Sequence, residues 1–268
     1  MSLAVAEGRE DLVNAPVAGS AATPSRQSPD TSPRPGAESV GQRTRSDRVQ
    51  GPLPVLLILL TIVTGLVDAF SYLSLGRVFV ANMTGNVVFV GFGLAGAGGI
   101  SVAASLLAVL AFTLGAAAGG RWSLRHPPHR GHLLRVAATT QTVLVVTAAV
   151  VAGGAGISGQ TTRFVLIGLL AGAMGGQNAV ARRLGVPDLT TTVLTLTVTG
   201  LVADATSVKV RFRRLLPVLA MLGGALVGGA LLRWLGPSAP LWIAAALLAS
   251  VAVGAHVAIR RPTSEAWG

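Results

Sequence analysis

Residues 65–86, GLVDAFSYLSLGRVFVANMTGN, are the stretch that decides the class of fold. This stretch places Asp68, Asn82 and Asn86 in or between segments that are apolar enough to lie in a lipid bilayer. An ionisable or amide side chain in hydrocarbon is costly unless it faces protein or water, so such residues indicate a functional site. The stretch therefore predicts a membrane protein with a polar site inside its spanning region.

The composition of the whole chain supports the same class. Of its 268 residues, 51% are hydrophobic and 12% are charged, whereas a soluble domain carries about 25% charged residues. Several apolar runs approach the ~20 residues that a helix needs to cross the hydrocarbon. We therefore predict an all-α polytopic membrane protein whose main partner is the lipid bilayer.

Charge and motifs argue against several functions. The net charge is +11, but the arginines lie at the ends of apolar runs with few aromatic residues among them. That is the pattern of topology signals rather than of a nucleic-acid-binding surface. The chain has no cysteine, so disulfides and thiolate metal sites are excluded. It also has no HExxH, GxSxG or P-loop motif. We expect no enzyme activity, no cofactor, no metal and no nucleic-acid partner.

The chain divides into a tail and a membrane domain. Residues 1–50 are rich in Pro, Ser and Arg and show no hydrophobic period, which predicts a disordered cytoplasmic tail. A transmembrane domain is predicted for 51–262, with a short C-terminal tail at 263–268. Within the domain, eight apolar segments follow one another at 53–75, 78–98, 100–120, 135–153, 163–181, 189–207, 215–235 and 240–259.

The basic side chains that flank these segments predict the topology. If all eight segments crossed the membrane, 10 of these side chains would lie inside and 8 outside, which is no bias. If the segments at 78–98 and 189–207 enter and leave on the same side, 15 lie inside and 3 outside. We therefore predict six full crossings plus two broken or re-entrant segments, with both termini cytoplasmic. Eight crossings are the alternative.

A weak internal repeat relates residues 53–153 to residues 163–260. The five residues from Gly65 to Ala69 align with those from Gly175 to Ala179, and Leu75-Gly76 aligns with Leu184-Gly185. Each half would contain three crossings and one half-segment. An odd number of crossings turns the second half upside down, which is the inverted-repeat plan of many transporters.

Asp68 lies on a polar stripe of the first predicted crossing. Small and polar residues lie three, four or seven positions from it and so share one helical face, namely Thr61, Thr64, Gly65, Ser71 and Tyr72. One interpretation of Asp68 is an ion- or proton-coupling carboxylate. The other is a structural acid that is hydrogen-bonded to Tyr72 or paired with Arg77.

The segment at 78–98 carries Asn82, Thr84 and Asn86. The two asparagines are four residues apart, so on a helix they would share a face. If the segment unwinds at Gly85, their amides and the freed carbonyl groups would line a substrate site. The alternative is that the amides form hydrogen bonds between helices.

The second half contains corresponding polar residues. Gln177 and Asn178 end the fifth predicted crossing and are candidate mirror partners of the Asp68 region. The segment at 189–207 is rich in threonine, and the candidates there to line a substrate or ion pathway are Thr192, Thr195, Thr199 and Asp204. Asp204 lies close to a basic cluster at 209–214, so an interfacial ion pair is the alternative for that residue.

Glycines that recur every four residues predict faces for close helix packing. They occur at Gly115/Gly119, at Gly168/Gly172/Gly176 and at Gly224/Gly228. We expect these faces to join helices within the chain, or to join copies of the chain in a homo-oligomer.

The stretch GLVDAFSYLSLGRVFVANMTGNVVFVG, from residue 65, and GGQNAVARRLGVPDLTTTVLTLTVTGLVAD, from residue 175, resemble the YoaK family of bacterial multi-pass membrane proteins. The resemblance covers roughly residues 53–260 and implies a bacterial inner (plasma) membrane location, but no substrate. It puts family motif positions at Asp68, Tyr72, Asn82, Thr84, Gly85, Asn86, Gln177, Asn178, Arg182, Thr191, Thr192, Thr199, Gly200 and Asp204. Gly176 departs from the pattern, in which a larger residue precedes the Gln-Asn pair.

Two hypotheses for the function follow. The first is a secondary transporter or permease for a small polar solute or ion. Asp68 would be its coupling carboxylate, Asn82 and Asn86 would contact the solute, and the threonine face at 190–199 would line the opposite wall. The second is a non-transporting membrane scaffold or regulatory protein that uses the glycine faces to bind partner helices.

Overall fold

The computed structural model describes residues 53–125, 129–185, 198–200 and 208–260. The predicted tails at 1–50 and 263–268 lie outside them. Seven helices have defined bounds in this part of the chain: α1 Leu53–Ser74, α2 Met83–Leu94, α3 Val102–Arg125, α4 Arg130–Gly154, α5 Gln160–Leu184, α6 Val208–Leu235 and α7 Ala239–Ile259. Six of them, all but α2, are long and apolar enough to cross a membrane. The predicted all-α polytopic membrane fold is confirmed.

Several helices extend beyond the predicted apolar segments, at the ends that carry arginine. Helix α3 continues to residue 125 rather than 120, α4 begins at 130 rather than 135, and α6 begins at 208 rather than 215. Hydropathy falls where the charged residues begin, but backbone hydrogen bonding continues because arginine favours helix and its long side chain reaches water. The predicted boundaries are therefore wrong there by about one to two helical turns.

Helices α1 and α6 cross at glycines that bring the two backbones into contact. A Cβ atom on Gly65 would collide with backbone atoms of Met221 and Ala225 in α6. On the facing helix, a Cβ atom on Gly224 would collide with the carbonyl oxygen of Ile62. Only glycine permits this approach, which gives the dispersion contacts that hold helices together in lipid.

Helices α3 and α5 make a second crossing with the same pattern of contacts. A Cβ atom on Gly175 would collide with backbone atoms of Phe112 and Ala116, and one on Gly115 would collide with the backbone of Gly172. In α5, Gly175 and Gly172 lie 110 positions after Gly65 and Ile62 of α1. The residues that they contact in α3 each lie 109 positions before the corresponding residue of α6, as Gly115 does before Gly224. Two pairs of helices therefore pack through equivalent positions.

The direction of each helix follows from these contacts. Helices α1 and α6 run parallel, because Ile62 faces Gly224 and Leu66 faces Gly228. Helices α4 and α7 run antiparallel, because Arg135 Nη1, near the start of α4, lies 3.0 Å from His256 Nδ1, near the end of α7. The connections between α3 and α4, between α4 and α5, and between α6 and α7 are short, so each pair of helices runs in opposite directions. Helices α1, α4 and α6 therefore start at the end of the bundle where α3, α5 and α7 finish.

This end of the bundle, which we call the basic end, carries most of the described arginines. They are Arg121, Arg125, Arg130, Arg135, Arg182, Arg183, Arg211, Arg213, Arg214 and Arg260. The other described arginines, Arg77, Arg163 and Arg233, lie at the opposite end. The charge bias that the sequence suggested is thus present in the folded bundle.

The segment between α1 and α3 leaves and returns at the same end of the bundle. Arg77, just after α1, has its Nη1 atom 3.2 Å from the Cβ position of Gly99, just before α3. Between them lie an unwound stretch at 78–82, which bends at Val80 and Ala81, and the 12-residue helix α2. At 1.5 Å per residue α2 is about 18 Å long, too short for a hydrocarbon core of about 30 Å. This segment is a half-segment and not a crossing, whereas most of the other predicted half-segment, at 189–207, lies outside the described residues.

Candidate functional site

The polar stripe of α1 is buried in the bundle. Thr61, Thr64, Asp68 and Ser71 are each less than 5% exposed. The three hydroxyl groups donate to carbonyl oxygens of α1 itself, as is usual for Ser and Thr in helices. The carboxylate of Asp68 is therefore the side chain of the stripe that must find its partners elsewhere.

Helix α1 ends six residues after Asp68, in a turn that sends the chain back along the helix. Gly76 adopts a left-handed conformation with φ of +98°, and the N–H of Arg77 donates to the carbonyl oxygen of Tyr72 at 3.1 Å. This is the Schellman arrangement, in which glycine supplies the positive φ that other residues resist. The unwound stretch at 78–82 consequently returns to the level of Asp68.

Asp68 holds this returning stretch through its backbone. Its Oδ1 atom accepts hydrogen bonds from the N–H groups of Val80, at 3.0 Å, and Ala81, at 2.9 Å. Its Oδ2 atom is buried and has no hydrogen-bond partner among the described residues. The partners proposed from the sequence, Tyr72 and Arg77, do not bond to this carboxylate. The sequence interpretation missed the two backbone amides because they belong to an unwound segment beyond the end of α1, where helical spacing gives no guide to contacts.

Asn86 holds the neighbouring residue of the same stretch. The N–H of Phe79 donates to Asn86 Oδ1 at 3.0 Å, and Asn86 Nδ2 donates to the Phe79 carbonyl oxygen at 2.6 Å. Asn86 is fully buried. Its amide satisfies both backbone groups of Phe79, so Asp68 and Asn86 together bind three consecutive residues of unwound backbone.

Asn82 has a different position from Asn86. It is exposed and caps the start of α2, where its Oδ1 accepts the N–H of Gly85 at 3.3 Å. The helix runs through Gly85, so the unwinding at that residue on which the substrate-site interpretation depended is not found, and the unwound part is at 78–82. Thr84 is exposed in the first turn of α2. An amide at a helix start satisfies free N–H groups, which explains the position of Asn82.

An aromatic cluster joins α1, the unwound stretch at 78–82 and α2. The rings of Tyr72 and Phe79 stack with centroids 4.9 Å apart, and those of Phe79 and Phe89 stack at 5.7 Å. Such stacks add about 0.5–1.5 kcal/mol per pair beyond the buried area. Tyr72 is thus part of the packing around the site, and its neighbours Phe79 and Phe89 were not predicted.

In the second half, Gln177 connects α5 to two other helices. Gln141 Nε2 in α4 donates to Gln177 Oε1, and Gln177 Nε2 donates to Thr64 Oγ1 in α1 at 3.4 Å. Thr64 lies one turn before Asp68. Asn178 is buried and its Nδ2 atom donates to the carbonyl oxygen of Met174 at 3.0 Å. Asn178 precedes the end of α5 by six residues, as Asp68 precedes the end of α1.

The remaining candidates belong to the threonine-rich segment. Thr192, Thr195 and Asp204 lie outside the described residues. Thr199 is exposed, and the carbonyl oxygen of its neighbour Gly200 accepts a hydrogen bond from Arg214 Nη1 at 2.8 Å. The structure therefore joins Asp68, Tyr72 and Asn86 in one site and places Gln177 beside it through Thr64.

Comparison with known proteins identifies the family. A model described as "Protein of unknown function (DUF1275)" matches residues 56–254. The chain belongs to the DUF1275 family. It is 33% identical over 154 residues to the UPF0700 transmembrane protein YoaK of Bacillus subtilis (strain 168), a match that spans 56% of this chain and 65% of that relative. This chain thus covers slightly less than two thirds of the relative's length. No solved structure matches.

The range matched by the DUF1275 family contains α2 to α6 and most of α1 and α7. It therefore includes both the Asp68 site and the Gln177 contacts, in a multi-pass membrane protein. In this DUF1275 chain, Gln141 is the functional candidate that sequence interpretation missed. Its signal was available, because Gln141 is a lone amide in an apolar helix and is only 2% exposed. The rule that drew attention to Asn82 applies to it equally.

Proposed function

We propose that this protein is a secondary transporter or permease for a small polar solute or ion. The observation that carries the proposal is the carboxylate of Asp68, buried in a membrane-crossing helix with one oxygen bonded to unwound backbone and the other without a described partner. Ionisable groups in this position are costly and typically belong to substrate or ion pathways. Unwound backbone beside them is typical of transporter binding sites.

Asp68 would couple ion binding to movement. A proton or cation that binds at Oδ2 reduces the negative charge that the Val80 and Ala81 amides face at Oδ1. Hydrogen bonds to an ionised acceptor are stronger than those to a neutral one. Occupation of Asp68 would therefore loosen its hold on the stretch at 78–82 and on α2 behind it, which gives a physical route from ion binding to a change of access.

The repeated contacts support an inverted repeat. Helices α1 and α6 meet through the same positions as α5 and α3, at constant offsets along the sequence. Because α1 starts at the basic end and α5 finishes there, these equivalent helices point in opposite directions. The repeat makes Asn178 the counterpart of Asp68 and puts the two residues toward opposite ends of the bundle. Inverted repeats of this kind permit alternating access around a central site.

The basic end supports an orientation. Loops rich in arginine remain cytoplasmic, so we place the basic end in the cytoplasm of a bacterium and the protein in its inner membrane. Six crossings then leave both termini cytoplasmic. The threonine face that includes Thr192, Thr195 and Thr199, together with Asp204, would line the wall opposite Asp68.

The glycine faces limit how copies of the chain would associate. Gly115, Gly175 and Gly224 are used by contacts between helices of the same chain. In contrast, the Cβ positions of Gly168 and Gly223 meet no atom within 4 Å. A homo-oligomer through glycine faces would therefore have to use faces other than those of Gly115, Gly175 and Gly224.

The transport proposal is tested in two stages. Detergent-purified protein is first screened for compounds that raise its unfolding temperature, because a bound solute stabilises the native state by mass action. Stabilising compounds are then tested for flux into proteoliposomes. We expect flux with at least one of them, and at least a tenfold loss of flux in Asp68→Asn at an unchanged membrane abundance, because asparagine retains Oδ1 as an acceptor.

Two results would contradict the proposal. An Asp68→Asn variant that transports like the native protein would remove the coupling role of the carboxylate. The absence of flux for every stabilising compound would favour the scaffold or regulatory function instead. Asp68→Leu serves as the comparison, since it removes the acceptor of two buried N–H groups and is expected to lower membrane abundance as well as flux.

A further inference from the structure

A crevice lies between α3, α4 and α5, away from Asp68. Helices α3 and α4 each pack on α5 but scarcely on each other, and between them is a cavity of about 620 Å³. This volume is in the range of sites for small molecules. The described residues that line the cavity are apolar, small or uncharged, and include Trp122, Thr140, Gln141 and Leu144.

The crevice exists because α5 has glycine where α1 has large side chains. Gly168, Gly172 and Gly176 line it. The sequence offset that relates the helix contacts gives their counterparts in α1 as Ile58, Ile62 and Leu66. Three branched side chains therefore stand in α1 at the positions that are glycine in α5.

Close packing does not require these three glycines. A Cβ atom on Gly172 or Gly176 would have its nearest neighbour at 3.7 or 3.6 Å, an ordinary contact, and one on Gly168 would have none within 4 Å. Gly175, in the same helix, differs because its Cβ would collide with the backbone of α3. The helix thus has one glycine that permits the crossing and three that leave room in the crevice.

Gln141, which lines the same cavity, has a buried acceptor without a partner among the described residues. The hydroxyl of Thr64 donates to the carbonyl oxygen of Leu60, at 2.9 Å, so it must accept the hydrogen bond from Gln177 Nε2. Gln177 then presents Oε1 to Gln141, and Gln141 must donate through Nε2. This order leaves Gln141 Oε1 as an acceptor, and it has no partner among the described residues. A buried acceptor left unpaired costs free energy that a ligand with a donor would recover.

We propose that the crevice binds an uncharged amphipathic small molecule, which enters from the bilayer and donates a hydroxyl or amide hydrogen to Gln141 Oε1. The apolar walls match an aliphatic or aromatic body, and Gln141 selects a single donor at its head. The lining has no acidic or basic side chain among the described residues, which excludes a charged ligand. This site lies between α3, α4 and α5 and does not include Asp68, although Gln177, which donates to Thr64 one turn before Asp68, lines it as well.

The site is tested by photolabelling the full-length, detergent-purified chain with an octanol that carries a diazirine. We expect labelled peptides from α3, α4 and α5 that contain the lining residues. Unlabelled 1-octanol should compete for the label, and octyl methyl ether should compete about tenfold less well, because the ether lacks the donor and a hydrogen bond is worth about that factor.

Variants test the cavity and its acceptor separately. Gly168→Ile with Gly172→Ile places the side chains found in α1 into the crevice and should abolish labelling. Gly223→Ile, on the outer face of α6, is the matched control and should label like the native chain. Gln141→Leu should remove the preference for octanol over the ether, so that the two compete equally. This variant remains informative if the double glycine variant does not fold.

Three results would overturn the proposal. One is labelling that persists in a folded double glycine variant. A second is equal competition by the alcohol and the ether in the native chain, which would indicate a groove filled nonspecifically by acyl chains. The third is no labelling of the crevice at all, as expected if a second copy of the chain covers it.

Discussion

At the scale of single residues, two polar side chains satisfy the backbone of an unwound segment. Asp68 and Asn86 satisfy the N–H groups of Phe79, Val80 and Ala81, and Asn86 also satisfies the carbonyl oxygen of Phe79. In a bilayer each unsatisfied backbone group costs several kcal/mol, so an unwound stretch survives only where protein groups bind it. These side chains therefore maintain the unwound segment that the transport proposal requires.

The two asparagines of this region should respond differently to the same substitution. Asn86→Asp replaces the N–H donor to the Phe79 carbonyl oxygen with an anionic oxygen at about the same place. We expect a loss of stability of about 2–4 kcal/mol, since a buried acceptor faces another acceptor. Asn82→Asp should be neutral, because aspartate caps a helix as well as asparagine does. Thermal unfolding of both variants in detergent checks this, and an equal loss of stability in Asn82→Asp would contradict it.

At the scale of helices, two glycine-mediated crossings determine the arrangement of the bundle. Gly65 in α1 and Gly175 in α5 occupy equivalent positions, and each would bring a Cβ atom into the backbone of the facing helix. The helices would have to separate to accommodate a methyl group, and the contacts along the whole crossing would weaken together. The same residue type has no such role at Gly223, whose Cβ position is open.

Alanine substitutions distinguish these glycines. We expect Gly65→Ala and Gly175→Ala each to destabilise the protein by about 1–3 kcal/mol, the usual cost of overpacking. Gly223→Ala should be neutral or slightly stabilising, because alanine favours helix by up to about 1 kcal/mol over glycine. The measurement is the unfolding temperature of the three variants in the same detergent. Equal unfolding temperatures would show that the crossings tolerate a side chain.

At the scale of the whole molecule, the bundle separates its arginines by end. The arrangement depends on the half-segment between α1 and α3, because a full crossing there would exchange the ends of every later helix. The 3.2 Å approach of Arg77 to the Cβ position of Gly99 joins the start and finish of this segment at one end. The orientation that we propose therefore rests on the fold of this one segment.

Cysteine labelling tests this orientation, and the native chain contributes no cysteine of its own. We expect Gly98→Cys, after α2, and Ser158→Cys, between α4 and α5, to react with an impermeant maleimide in intact cells. Leu124→Cys, at the basic end and 70% exposed, should react only after permeabilisation. Reaction of Leu124→Cys in intact cells, with Gly98→Cys reacting only after permeabilisation, would contradict the half-segment and favour eight crossings.

The features that could be predicted from the sequence are those that depend on local pattern. Hydropathy identified the apolar segments, and the count of flanking basic residues reduced the crossings to six. The spacing around Asp68 identified a buried stripe, and four-residue spacing identified Gly115 and Gly224 as packing positions. The unwinding considered at Gly85 is instead at 78–82, because glycine favours neither a helix nor a break until its neighbours are known. The polar partners were also wrong or missing, as with Val80 for Asp68 and Gln141 for Gln177.

Membrane class, the number of crossings and the buried polar face were set by the order of residues along the chain, since bilayer thickness and helical periodicity act on neighbouring residues. The partners of Asp68 and Asn86, the empty crevice beside α5 and the direction of each helix were decided only by tertiary structure. Each of those features depends on which backbone or side chain arrives from another part of the chain. A hydrogen bond forms over about 3 Å of space, however far apart its donor and its acceptor lie in the sequence.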